Sequence, residues 1–74
     1  MYPLFETLCS IDGQVQHAEW HERRFAYSYF REFGRLPSFS LLEGICIPEE
    51  FKKGKNRLRI LYNSLGTMAE FEPY

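Results

Sequence analysis

Residues 2–11 form an apolar run rich in aromatic, β-branched and leucine side chains, interrupted by the acid Glu6 and closed by Asp12-Gly13, after which Gln14, Val15 and Gln16 follow. Such a run reads as a strand, and Asp-Gly at its end is the strongest short-range hairpin signal, so a β-hairpin is predicted. From Ala18 the period lengthens. Trp20, Arg24 and Tyr27 recur at helical spacing, as do Phe25, Tyr29 and Phe33, and Gly34 supplies a stop with Pro37 beyond it. One helix of about four turns is predicted.

Residues 36–51 carry Pro37, two serines, Gly44 and Pro48, so any helix there is short, with 39–45 and 48–53 as the candidate segments. Residues 55–63 then alternate cleanly, with Leu58, Ile60 and Tyr62 on one face and Arg57, Arg59 and Leu61 on the other. A turn at 63–66 leads into 67–74, where Ala69 and Phe71 oppose Glu70 and Glu72. The order describes an α+β fold: a small antiparallel sheet of two β-hairpins, with one long helix and short helical turns packed on one face.

The 74 residues are enough for a single small domain, 1–74, and leave no room for a second. Hydrophobic side chains make up 45% of the chain and aromatics 18%, ample for a core and contrary to disorder. Nine basic against ten acidic side chains give a formal charge of −1, so no global field attracts a polyanion and nucleic acid is not the expected partner. No stretch approaches the roughly 20 apolar residues of a spanning helix. The two cysteines, Cys9 and Cys46, stand apart in apolar surroundings, which suits reduced, buried thiols in a cytoplasmic protein.

Glu6 shares a strand face with Leu4 and Leu8, so its carboxylate lies either at a rim or inside. Inside, it costs several kcal/mol unless a cation or donor pairs with it, and Arg23 and Arg24 are the nearest partners in sequence. His21 and Arg24 are three apart and lie on one helix face, where Arg24 is a natural fork for phosphate. The plainer alternative is that Glu19, Glu22, Arg23, Arg31 and Glu32 make a solvated, charge-laced surface. His17 and His21 stand at i, i+4, yet no spacing completes a tetrahedral metal set. The run 52–57, rich in lysine but flanked by Glu49 and Glu50, reads as a solvated turn. Arg57 and Arg59 can face Glu70 and Glu72 across the second hairpin, in pairs worth under about 1 kcal/mol each.

Together Phe5-Glu6-Thr7-Leu8, Ile11-Asp12-Gly13, His21-x-x-Arg24-Phe25 and Arg57-Leu58-Arg59-Ile60 make a pattern that resembles the opening of fold type IV pyridoxal-phosphate enzymes. These include the class IV aminotransferases and aminodeoxychorismate lyase, which show an F/Y-E strand, a D/N-G hairpin and an H-x-x-R-L helix in the same order. Residues 3–7 and 57–63 are similar to short, lyase-like bacterial members that begin P-L-F-E-T and carry an R-x-R-I-x-Y-N strand. The resemblance implies that the chain is the beginning of an N-terminal domain. It implies that Arg24 binds the phosphate of pyridoxal phosphate, that Glu6 lines the active-site wall, and that Arg59 sits on a central strand near a substrate carboxylate.

Phe5 departs from relatives with tyrosine there, which bears on the substrate, a small amino-acid-like molecule. The family's Schiff-base lysine lies on a later strand, and Lys52, Lys53 and Lys55 do not match its context, so an inactive fragment is implied. Self-association, or docking of the missing C-terminal domain, is then expected on an uncovered, apolar sheet face. The alternatives are a half-protein completed in trans by a second chain and a free-standing interaction module that pairs through the 71–74 edge.

Overall fold

Strand-forming residues around an Asp-Gly turn fold as their pattern requires: in a computed structural model that describes residues 4–74, Leu4–Ile11 is strand β1 and Gln14–Val15 the short strand β2. The expected start of that strand at residue 2, and Pro3 of the sequence motif, lie outside the described residues. Asp12 and Gly13 both have positive φ, 51° and 80°, the backbone of a tight hairpin turn that glycine adopts at no steric cost. The Asp12 N–H donates to the Gly54 carbonyl at 2.9 Å, and the Gly54 N–H donates to Asp12 Oδ1 at 2.8 Å. This clasp ties the first turn to the entry of the next strand.

That strand, β3, spans Lys55–Tyr62 and pairs antiparallel with β1 along its length, from Leu4 opposite Tyr62 to Ile11 opposite Lys55. β4, Thr67–Pro73, returns beside it after a turn in which Asn63 Oδ1 accepts from the N–H groups of Leu65 and Gly66. The sheet order is β2-β1-β3-β4. Side chains therefore divide by parity, with Glu6, Leu8, Ser10, Asn56, Leu58, Ile60 and Tyr62 buried on one face. Phe5, Thr7, Arg57, Arg59, Met68, Glu70 and Glu72 lie exposed on the other.

Helix α1, Ala18–Phe33, covers the buried face. It ends at Gly34, whose φ of 75° lets its N–H reach the Phe30 carbonyl at 2.9 Å. Phe25 and Tyr29, one turn apart, point into the core, and Phe25 packs edge-on to Tyr62 with ring centres 4.8 Å apart. Leu8, Leu41, Leu58 and Ile60 complete this core, each side chain contributing about 1.5–3 kcal/mol by leaving water.

Two expectations are corrected in the connection that follows the helix. Residues 39–45 form turns rather than a short helix, because Leu41 must enter the core and the N–H groups of Leu41 and Leu42 are taken by the Glu22 carboxylate, at 2.8 and 3.1 Å. Cys46 is exposed, not buried, while Cys9 is half-buried; both are free thiols. In the 48–53 segment a single 3-10 turn forms at Glu49–Phe51.

Candidate functional site

Glu6 resolves to the inside: it is 6% exposed, on the helix-covered face of β1. Its two oxygens are divided between two helix residues. Oε1 lies 3.1 Å from His21 Nδ1, and Oε2 lies 3.3 Å from Arg24 Nε. Spacing of three along α1 places both partners over the same part of the sheet, so one strand carboxylate meets two cationic or donor groups at once. Of the two arginines expected near Glu6, Arg24 is the partner and Arg23 is exposed. His21 was missed as a partner of Glu6, although its place beside Arg24 was visible in the helical spacing.

Arg24 is held at its Nε edge while 58% of the side chain stays accessible. The indole of Trp20, one turn earlier, flanks the guanidinium, with Cζ 5.2 Å from the ring centre. Below them, buried Tyr62 bonds to Ser28, and burial raises its phenol above the ordinary value of 10.0. The carboxylates of Glu6 and Glu32 push the same way, and Ser28 and Arg24 oppose them.

Glu22, which the charge pattern placed on a solvated surface, instead clips the 34–54 connection to the helix through the two N–H groups described above. No local spacing announces a contact across some twenty residues, and an acid between Trp20 and Phe25 was the available hint.

Arg59 stands elsewhere. It projects from the open face of β3, opposite Thr7 and Glu70, with Nη1 3.9 Å from Glu70 and its guanidinium over Phe5 at 5.4 Å. A shallow hollow of about 160 Å³ lies beside it, lined by Arg59, Glu70, Phe71 and Glu72. Glu6 and Arg24 are thus brought together, and Arg59 lies on the opposite face of the sheet. The expectation of an apolar open face is corrected: the row Phe5, Leu61 and Met68 gives way to rows carrying Arg59 with Glu70 and Arg57 with Glu72.

Lys52, Lys53 and Lys55 are exposed, and Lys52 Nζ lies 3.4 Å from Glu49. His17 is an exposed left-handed residue before the helix, with no side-chain capping bond. Among the described residues no three His, Cys, Asp or Glu side chains group so as to hold a metal ion. No described helix is long and apolar enough to cross a membrane.

Fold and site define a four-stranded antiparallel α+β unit that presents a carboxylate-anchored arginine in the second turn of its helix. An uncharacterized protein of Haemophilus influenzae is 34% identical over 76 residues, a match that takes in 100% of this chain and 40% of that protein. The chain therefore spans about two fifths of the length of the curated relative it matches. No family model and no solved structure matches the chain.

Proposed function

We propose that this chain is the N-terminal part of a pyridoxal-phosphate enzyme similar to the class IV aminotransferases and aminodeoxychorismate lyase, with Arg24 as the ligand of the cofactor phosphate. The observation that carries the reading is the state of Arg24: anchored through Nε to a buried carboxylate, flanked by Trp20, and still more than half accessible. An arginine that stays this accessible fits a phosphate group. The length of the H. influenzae relative supports it too, since that protein extends well beyond the matched part.

In this reading the cofactor supplies an electron sink for amino-acid chemistry, and the lysine that would hold it lies outside these 74 residues. The chain alone is then inactive, its substrate in the complete enzyme is a small amino-acid-like molecule, and it self-associates or docks onto the remaining domain. Free Cys9 and Cys46 accord with a cytoplasmic setting. The test is quenching of Trp20 fluorescence by pyridoxal phosphate. Weak, saturable quenching that Arg24→Ala abolishes, and that phosphate-free pyridoxal does not reproduce, is the expected result. Quenching indifferent to Arg24→Ala overturns the assignment of the phosphate site, and a stoichiometric borohydride-fixed adduct at one lysine overturns the inactivity.

One observation favours a second reading. β4 is the last strand in the sheet order, so its outer edge can pair with a partner's strand, as a free-standing interaction module would. Quenching of Trp20 by pyridoxal phosphate that Arg24→Ala abolishes argues against it.

A further inference from the structure

We infer that Glu6 and Trp20 are positioning residues which fix the Arg24 guanidinium for capture of a tetrahedral phosphate monoester; this rests on the phosphate-site reading above. A guanidinium offers an anion two kinds of edge: the side that includes Nε, and the end formed by the two terminal nitrogens. In Arg24 the Nε atom lies 3.3 Å from Glu6 Oε2 in an ion pair, and that carboxylate is itself only 6% exposed and held by His21 at 3.1 Å. One face of the guanidinium is flanked by the Trp20 indole at 5.2 Å. The side chain as a whole stays 58% accessible. A ligand therefore meets a guanidinium already placed by a carboxylate and a ring.

Position and charge make opposite predictions for Glu6, which lets the inference be broken. A carboxylate beside an anion site repels the anion, so on charge alone its removal tightens binding. If Glu6 instead holds the fork in place, its removal weakens binding although a negative charge has gone. Fixing one long side chain in advance is worth about two- to twelve-fold in affinity.

The experiment is a titration of the nitrogen-15-labelled 74-residue chain with inorganic phosphate, followed at the Arg24 Nε–H resonance, which is identified by its loss in Arg24→Lys. Saturable movement of this resonance is expected in the unaltered chain. Glu6→Ala should bind about ten-fold more weakly, and Glu6→Gln, which keeps an oxygen of the same shape against the Nε edge, within about two-fold of the unaltered chain. Trp20→Leu, a change at a half-exposed position that leaves the fold intact, should weaken binding about three-fold. Acetate should compete far more weakly than phosphate.

If Arg24 shows no saturable response to phosphate, the phosphate-site reading itself fails and the inference falls with it. If phosphate binds through Arg24 but Glu6→Ala binds as well or more tightly, the positioning role alone is overturned. Should Glu6→Ala not fold, Trp20→Leu decides: unchanged affinity overturns the inference, and the expected loss upholds it.

Discussion

The two faces of this sheet carry ion pairs of nearly equal length and unequal consequence. On the covered face Glu6 meets His21 at 3.1 Å and Arg24 at 3.3 Å while only 6% exposed; on the open face Arg57 meets Glu72 at 3.0 Å with both side chains about half exposed. Distance alone ranks the open-face pair first. Burial reverses the order, because a carboxylate removed from water depends on its partners for the solvation it has lost, whereas exposed partners exchange one another for water at little net change.

The sharpest way to break this comparison is to strip Glu6 of both partners. The double variant His21→Ala, Arg24→Ala should lose about 3–5 kcal/mol of stability, as expected for an uncompensated buried charge, and urea unfolding at neutral pH measures it. Each single variant should lose well under half of that, since the other partner remains. A double variant that costs no more than the sum of two small single losses would show that water reaches Glu6 freely and that the two faces do not differ.

Next in size is Glu22, which extends the covered face into the loop. Glu22→Ala leaves the N–H groups of Leu41 and Leu42 without their acceptor, and a loss of about 1–3 kcal/mol is expected, with faster amide exchange at those two residues. Leu41 is fully buried, so its backbone cannot turn to solvent without withdrawing the side chain from the core.

These contacts also mark how far the sequence could be read. The strands, their faces, the helix end at Gly34 and the Arg57–Glu72 pair follow from periods of two and 3.6 and from turn chemistry, all of which act over a few residues. Glu6 could be suspected because an acid within an apolar strand needs a partner, and Arg24 was within reach of that argument. Glu22 with Leu41 was not: its contact spans a connection whose prolines, serines and glycine set no period. Arg59, which the resemblance put on a central strand near a substrate carboxylate, lies by parity along β3 and its register with β1 on the face opposite Glu6. The connection at 39–45 reads as weakly helical by composition, and the demand of the core for Leu41 overrides that preference.

Tyr62 adds a dependence on pH that belongs to the covered face alone. Burial raises its phenol above 10.0, so in alkali the unfolded chain releases this proton before the folded one does. The stabilisation is fully present below about pH 10, the ordinary tyrosine value, and is lost as pH rises through the higher folded-state value. Urea midpoints should therefore fall steeply above that pH, and Tyr62→Phe should flatten the fall. An equal fall in both chains would assign the alkaline loss to other groups.

The smallest effect is expected on the open face, and it is informative because it is small. Arg57→Ala and Glu72→Ala should each change stability by less than about 1 kcal/mol, with a coupling between them of about 0.2–1 kcal/mol in a double-mutant cycle. That coupling should shrink further in molar salt, which screens exposed charges within about 3 Å. The Glu6 coupling to Arg24, measured in the same way, should keep most of its size in salt, because its carboxylate lies beneath the helix and out of contact with the ions. A salt-resistant Arg57–Glu72 coupling would mean that the open face is itself covered in solution, by a second copy or a partner. The open face would then be a second buried surface of the molecule.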